Sequence, residues 1–388
     1  MVKKDYKRQI IRRFESPYMQ MAVFFLSVFI VTGLIIFFLE YRKNSEFGDI
    51  FDGFWWAIIT FSTTGYGDKV PVTVGGRIVA VLSIFLGIAA MSALSGSLAS
   101  IFVDRNTRAR RGLMDFPKLS NHFIICGWKD HMKDILLDVV SGSRQYSDDK
   151  IVIISNVESD KIEEIKEGES LRNIKYVRGD YFSETALVRA NVGKAEKVLI
   201  LADTFENSTA SEIDSRTVMT VITIKAMAKD VYTCAELLDR KYESYLKHAM
   251  CDEILFSRDF SRRMLANSSI TNGMSHIMQD LLSPDLGTTK ITTLDIPSEF
   301  LGQNYGSYRD TFSGKQNMLL IGVLENTGSP NKMKIEALRE AQKTSDVSAL
   351  VTNLQKVKGL EVNQPVFMPS DDYMLQRHSR AIILERKE

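Results

Sequence analysis

The chain has 388 residues, 45% of them hydrophobic, and its 49 basic and 48 acidic residues leave a formal net charge of +1. This length allows two or three domains. The near-neutral total hides an asymmetry, because the first hundred residues are dominated by apolar runs and the remainder has the composition of soluble protein. These features exclude a protein that is soluble throughout, and we expect no nucleic-acid partner.

Two stretches carry no charged residue, Ser16 to Leu39 and Ile78 to Phe102. At about 1.5 Å per helical residue, each is long enough to cross a hydrocarbon core of roughly 30 Å. A cleaved signal peptide is the alternative for the first. Its apolar run, however, exceeds the usual length of roughly 7–15 residues, and no small-residue cleavage site follows it. We predict an outer transmembrane helix over 18–40 and an inner one over 77–103.

Positive charge predicts how these spans are oriented. Six basic residues lie in the N-terminal segment 1–17 and four arginines follow the second span, whereas the loop between the spans has fewer. The positive-inside tendency therefore places both termini of this multi-pass protein in the cytoplasm, at the cell membrane. The three cysteines, Cys126, Cys234 and Cys251, show no disulfide spacing, which fits a reducing compartment. No span carries arginines at every third position, so we expect no voltage sensor.

The segment 41–76 between the spans predicts a pore. Phe51 to Phe61 is apolar and aromatic, as a short helix dipping into the membrane would be. It runs directly into Thr63-Thr64-Gly65-Tyr66-Gly67-Asp68. A dehydrated potassium ion needs rings of backbone carbonyl oxygens, and glycines at 65 and 67 permit the backbone angles that aim carbonyls at one axis. Since one strand cannot surround an ion, we predict K⁺ bound in a filter formed by a homotetramer.

The inner span contains a candidate hinge and a candidate gate. Gly87 lies near its middle and Gly96 follows two and a half turns later. Gly87 could be a hinge that lets the helix bend, or one of several small residues that permit close helix packing. Leu94, Leu98 and Ile101 approach the cytoplasmic end and predict an apolar constriction that closes by dewetting.

Residues 16–104 resemble the pore of two-transmembrane-helix potassium channels, whose filter signature is TVGYG. The sequence here reads TTGYG, with Thr64 where valine is commonest. That departure is mild, because the carbonyl and not the side chain faces the ion. The resemblance implies that Trp55 and Trp56 pack the pore helix beside the filter, with Tyr66 wedged among them.

From Asn121 onward, short β-branched runs alternate with helical stretches. This pattern predicts a parallel, doubly wound α/β sheet of Rossmann-like type, whose ligands bind beyond the carboxyl ends of the strands. The predicted strands are His122–Cys126, Lys150–Ser155, Ile174–Val177, Lys197–Ala202, Tyr232–Ala235 and Glu253–Phe256. The first turn, 127–132, has one glycine where a dinucleotide fingerprint has three. It is therefore weak evidence for a nucleotide and argues against a tightly held redox cofactor, although the turn could still cradle an anion.

Several motifs after residue 115 are similar to RCK domains, also called KTN domains (TrkA-N plus TrkA-C). They are HFIICGW at the first strand, Arg178-Gly179-Asp180 after the third, Leu201-Ala202-Asp203 after the fourth, Ala235-Glu236 after the fifth, and Phe367 to Tyr373, which resembles a closing hairpin. With the pore in front, the chain is similar to prokaryotic two-transmembrane-helix potassium channels of the MthK and GsuK type. The resemblance implies a linker over 104–118, an RCK N-lobe over 119–257, crossover and dimerisation helices over 258–285, and a smaller α+β C-lobe over 286–388. Residues 326–364 look like a helical, charged insertion.

This resemblance also implies partners and ligands. RCK domains pair through a crossover helix, here 260–271, into a gating ring, which has eight domains if free RCK domains start at Met114. The family binds NAD or ADP-type nucleotides, or Ca²⁺. By motif, the nucleotide candidates are Gly127, Trp128, Asn156, Asp180, Asp203 and Thr204, and the cation candidates are Asp203, Glu236 and Asp239. The calcium-binding relative has a further acid where this chain has Leu238. The acids could instead cap helices or pair with Arg178, Lys241 or Arg258.

We therefore predict a potassium-selective channel, not an enzyme, gated by an intracellular ligand whose effect could be activation or inhibition. Two other classes remain open. A membrane-anchored NAD-dependent oxidoreductase would explain the sheet but leaves TTGYGD without a purpose. A regulatory subunit that conducts nothing itself would explain the sensing domain alone.

Overall fold

The structure is a computed structural model, and it describes residues 17–142, 146–205, 208–282, 288–312, 314, 317–342, 347–358 and 362–386. The predicted N-terminal segment lies, except for residue 17, outside the described residues. The chain divides into two units, 1–108 and 109–388, which are taken one at a time below.

The first unit contains three helices, α1 (Pro17–Glu40), α2 (Ile50–Phe61) and α3 (Val74–Arg110). By length and composition α1 and α3 can each cross a membrane, with mean hydropathy of 2.9 and 2.4 over their most apolar windows. Helix α2 is a shorter apolar helix between them. It packs on α1 around a small core formed by Ile36, Phe47, Trp56 and Ala57.

The inner helix α3 is longer than predicted. It continues to Arg110, so residues 104–110 of the predicted linker are helical. The sequence 104–110 contains neither glycine nor proline, and its three arginines favour helix outside the apolar span. The helix ends just before Gly112, whose φ of +65° is the left-handed conformation that commonly terminates helices.

The N-lobe of the second unit is a six-stranded parallel sheet in the order β3-β2-β1-β4-β5-β6. This arrangement confirms the predicted Rossmann-like fold. Alternate residues of β1 point to opposite faces, so Ile124 lies in one hydrophobic core and Ile125 in the other. The elements are β1 (Phe123–Cys126), α4 (Met132–Gly142), β2 (Ile151–Ser155), α5 (Ser159–Lys166), β3 (Lys175–Arg178), α6 (Glu184–Arg189), β4 (Lys197–Ile200), α7 (Ala210–Met227), β5 (Tyr232–Leu237), α8 (Glu243–His248) and β6 (Glu253–Phe256).

Two helices, α9 (Ser257–Ile270) and α10 (Met274–Leu282), lead from the N-lobe to a four-stranded antiparallel sheet in the order β7-β10-β8-β9. None of the residues in these two helices is buried in the described chain. The remaining elements are β7 (Thr289–Asp295), α11 (Tyr305–Asp310), β8 (Met318–Glu325), α12 (Pro330–Ala341), α13 (Val347–Lys358), β9 (Gln364–Phe367) and β10 (Arg380–Arg386). Helices α12 and α13 occupy the region predicted as a helical insertion.

The expected closing hairpin at 367–373 is wrong. Strands β9 and β10 lie on opposite sides of β8 and do not pair with each other. The segment after β9 bonds instead with the start of α11, since Tyr305 N donates to Tyr373 O at 2.7 Å and Gly306 N donates to Asp371 O at 3.0 Å. These bonds satisfy the backbone that a hairpin would otherwise have used.

Candidate functional site

Helix α2 delivers the chain directly to the predicted filter. Its last turn holds the next residues in place, because the amides of Thr64 and Gly65 both donate to Ile59 O, at 2.9 and 3.2 Å. The hydroxyls of Ser62 and Thr64 lie 2.8 Å apart and share a hydrogen bond. The loop therefore starts from a fixed position at the C-terminal end of α2.

The backbone of the filter segment has a positive φ at every second residue: +58° at Thr63, +57° at Gly65 and +75° at Gly67. In a uniform strand successive carbonyls point to opposite sides. Reversing the sign of φ at alternate residues turns them toward one side, which is what a row of ion-binding carbonyls needs. Thr63 and both glycines belong to the predicted filter, but a positive φ was expected only at the two glycines. A β-branched residue in this conformation costs on the order of 1–3 kcal/mol, so its surroundings must enforce it.

Aromatic side chains support the segment from the side of α2. The Trp55 ring stacks on Tyr66, with centroids 6.2 Å apart and an interplanar angle of 13°. Trp55 Nε1 also donates to Asp68 Oδ2 at 2.8 Å. Trp56, which the resemblance also placed beside the filter, is instead buried in the core with Ile36. One tryptophan therefore braces the loop, and the other packs α2 on α1.

A buried carboxylate holds the far side of the loop. Glu40, the last residue of α1, is fully buried and accepts hydrogen bonds from Val72 N at 3.0 Å, Thr73 N at 3.1 Å, the Thr73 hydroxyl and Asn44 Nδ2. Glu40 was not among the residues predicted from the sequence. The signal in the sequence was an acid immediately after an apolar span, because burying a carboxylate there is costly unless hydrogen bonds satisfy it.

Gly87 lies against the end of α2. A Cβ atom added there would be 2.2 Å from Phe61 Cδ1, and Phe61 is itself buried. This contact favours the packing interpretation of Gly87 over the hinge. At Gly96 an added Cβ would meet no atom within 4 Å. Leu98 and Ile101 are exposed in the single chain, and Leu94 is half-buried.

In the second unit, the carboxyl ends of the parallel strands bring most nucleotide candidates to one edge. Gly127 has φ +91°, and an added Cβ would lie 3.3 Å from Asp203 Cβ, so the first turn lies close to the end of β4. Asn156 Nδ2 donates to Asp180 Oδ1, joining the ends of β2 and β3. Thr204 is exposed nearby in sequence. The candidate Trp128 follows Gly127 in the same turn, and its side chain is buried in the hydrophobic core.

The three predicted cation ligands are not assembled. Glu236, only 3% exposed, pairs with Lys129 Nζ at 2.6 Å and accepts from Ala202 N at 2.9 Å. Asp239 accepts from Lys241 N at 3.0 Å, and this hydrogen bond lowers its pKa. Among the described residues no group of three or more His, Cys, Asp or Glu side chains could hold a metal ion. The cation set of Asp203, Glu236 and Asp239 therefore stays a prediction, and in this structure Lys129 occupies the place beside Glu236 that a cation would take.

Comparison with known proteins agrees with the division of the chain into two units, 1–108 and 109–388. Residues 24–104 match the ion channel family, and residues 118–235 match the RCK domain of slowpoke-like calcium-activated potassium channels. A pore joined to such a domain defines the class: the chain is an ion channel that carries an RCK domain.

The relatives narrow the class to potassium channels. The calcium-gated potassium channel TvoK of Thermoplasma volcanium is 28% identical over 278 residues, which are 71% of this chain and 76% of that protein. Potassium channel protein 1 of Methanocaldococcus jannaschii is 27% identical over 246 residues, 61% of this chain and 69% of that protein. The solved GsuK channel is 16% identical with a TM-score of 0.47, and the match spans 95% of this chain but 57% of that one. The chain is a potassium channel with an RCK domain.

Proposed function

We propose that four copies of the chain assemble around one axis and conduct K⁺ through a filter made of residues Thr63, Thr64, Gly65, Tyr66 and Gly67. The alternation of positive φ along this segment carries the proposal, since a backbone of this kind can turn successive carbonyls toward one side, as a row of ion-binding oxygens requires. The bracing by Trp55 and by Glu40 supports it, because a filter that selects by distance must hold its oxygens in place.

Both termini lie in the cytoplasm in this proposal, and the gate is at the C-terminal part of α3. Leu94, Leu98 and Ile101 close the pore as an apolar ring in which water is unstable. The RCK domains pair through α9 and α10, whose exposed apolar side chains include Leu265 and Ile270, at 74% and 80% exposure. Pairing would bury this apolar surface. The resulting gating ring contains four RCK domains, or eight if free domains join it.

The ligand that acts on the ring is, in this proposal, a nucleotide such as NAD or ADP bound at the carboxyl ends of β1 to β4. The polar groups there are the Gly127 turn, the Asn156–Asp180 pair, Asp203 and Thr204. The name of TvoK indicates calcium gating for that relative. In this chain Lys129 already compensates Glu236, which removes a ligand that a calcium site at this edge would need.

The test uses purified full-length channel in liposomes of phosphatidylethanolamine and phosphatidylglycerol, with rubidium uptake driven by internal K⁺. We expect selective uptake for the wild type and its loss in Gly67→Ala, which cannot adopt φ +75° without strain, while the tetramer persists on size exclusion. Equal permeation of Na⁺ and K⁺ by the wild type would refute the filter. Flux and melting temperature are then measured with NAD⁺, ADP and CaCl₂, and we expect a nucleotide to change both. A response to CaCl₂ alone would refute the nucleotide site.

A further inference from the structure

The segment that connects the inner helix to the first strand of the RCK domain is docked on that domain through its backbone. We call residues 111–121 the connector. Gly112 O accepts a hydrogen bond from Arg178 N, the last residue of β3, at 2.9 Å. A Cβ at Gly112 would be 2.6 Å from both Arg178 N and the Tyr176 ring, and its φ is +65°. The close approach and the backbone conformation thus both require glycine here.

One guanidinium ties this docking together. Arg189, the last residue of α6, donates from Nη2 to Gly112 O and to Met114 O at 3.2 Å, and from Nη1 to Arg178 O at 3.0 Å. Its Nε donates to Asp115 Oδ1 at 3.0 Å, and the side chain is 25% exposed. All three guanidinium nitrogens of Arg189 are therefore used to hold the connector against the end of β3.

The residues that follow α6 hold the rest of the connector. Asn191 Nδ2 donates to Pro117 O at 3.1 Å and to Leu119 O at 2.8 Å. Asn121 N donates to Lys194 O at 2.9 Å. Because α3 ends at Arg110 and the docked part begins at Gly112, only one residue separates the inner helix from the point where the chain is held.

The docking point lies beside the candidate ligand edge. Arg178 bonds the connector, and Asp180, two residues further along the chain, bonds Asn156 at the end of β2. Between them Gly179 N donates to Ser155 O at 3.1 Å. A change in the end of β3 therefore moves the residue to which Gly112 is bonded.

We propose that Arg189 is a positioning residue for gating: it couples the carboxyl end of β3 to the inner helix by clamping the connector. The inference rests on the proposed function in requiring that the RCK domain bias the pore. Arginine suits this role because its planar fork reaches several oxygens at once, which the point charge of lysine does not.

The experiment compares wild-type full-length channel with Arg189→Met, Arg189→Lys and the control Arg172→Met, which removes an exposed arginine of the same domain. Hydrogen exchange of the Phe116 amide, which donates to Arg189 O at 2.8 Å, reports the docking in detergent. Melting temperature with NAD⁺, ADP and CaCl₂ reports binding, and rubidium flux with the same probes reports gating. Arg189→Lys keeps the charge, and it is the test variant if Arg189→Met does not form tetramers.

We expect Arg189→Met to exchange at Phe116 at least tenfold faster, to bind the active probe within twofold of wild type, and to lose at least tenfold of the probe-induced change in flux. Arg189→Lys should fall between, and Arg172→Met should match the wild type. A wild-type flux response in Arg189→Met, or unchanged exchange at Phe116, overturns the proposal. If no probe changes wild-type flux, the proposed ligand gating is refuted. The coupling through Arg189 is then tested by flux without any probe. A threefold or larger difference in basal flux between Arg189→Met and Arg172→Met supports the coupling, and equal basal flux overturns it.

Discussion

Replacing Gly87 by alanine separates the two interpretations of this glycine. The added Cβ would lie 2.2 Å from Phe61 Cδ1, too close for any real contact, so Phe61 or α3 must shift. Forcing a methyl into a packed site costs about 1–3 kcal/mol. In the middle of a helix, alanine regains about 1 kcal/mol over glycine. We expect the net effect to be destabilising by about 0–2 kcal/mol.

Gly96 provides a matched control on the same helix. An added Cβ there meets no atom within 4 Å, so Gly96→Ala keeps only the helix-propensity gain of about 1 kcal/mol. The two variants should therefore differ by about 1–3 kcal/mol, with Gly87→Ala the less stable. Thermal unfolding of the channel in detergent measures this difference.

A second substitution shows whether the contact with Phe61 is responsible. The double variant Gly87→Ala/Phe61→Leu removes the ring atoms that the new methyl would strike, and its melting temperature should recover toward that of Phe61→Leu alone. Phe61 lies two residues before Thr63, so the strained single variant should also lose K⁺ over Na⁺ selectivity. If Gly87→Ala alters the opening of the pore but neither its stability nor its selectivity, Gly87 is a hinge and the packing argument fails.

Lys129→Met should lower the free energy of unfolding by about 3 kcal/mol, which is the lower end for breaking a buried pair because Lys129 is 26% exposed. Adding Glu236→Gln should restore part of this loss in thermal unfolding. Equal stability of the single and double variants would contradict the pairing. Burial of His122 lowers its pKa below the usual 6.5, so the folded state binds the proton less well than the unfolded state. Stability should be fully present above pH 6.5 and fall as the pH drops below it, and His122→Gln should flatten that slope in melting scans from pH 7.5 to 5; an equal slope would contradict this. Trp55→Phe keeps an aromatic ring but loses the bond to Asp68, which is worth about 0.5–1.5 kcal/mol. Selectivity for K⁺ should weaken in reversal-potential measurements, and unchanged selectivity would exclude a role for that bond.

The features that sequence predicted well depend on short-range patterns. The uncharged runs predicted the two long helices, and alternating strands and helices predicted the parallel sheet, because hydrophobic periodicity follows directly from which faces are buried. Helix α3 continues beyond the predicted end of the transmembrane span, because that boundary followed the loss of apolar residues. Helix propensity continues through Asp104–Arg110 until Gly112 stops it.

The features that sequence missed depend on contacts between distant residues. Lys129 and Glu236 are 107 residues apart, and only the sheet order that places β1, β4 and β5 together brings them into contact. Arg189 and Gly112 are 77 residues apart and carry no motif. The positive φ of Thr63 had no sequence signal, since threonine disfavours that conformation and adopts it only in a held loop.

The two halves of the ligand edge differ in how far they are already occupied. On the β1, β4 and β5 side, Lys129 and Glu236 are already joined by a charge-assisted bond of 2.6 Å, and a ligand that binds Glu236 would have to displace Lys129. On the β2 and β3 side, the Asn156–Asp180 pair is exposed and lies two residues from Arg178, to which the connector is bonded. A ligand that exchanges hydrogen bonds with this exposed pair disturbs less structure and acts next to the connector. We therefore expect substitutions at Asp180 to change the ligand response of the channel more than substitutions at Asp203, since only the former adjoins the strand end that holds Gly112.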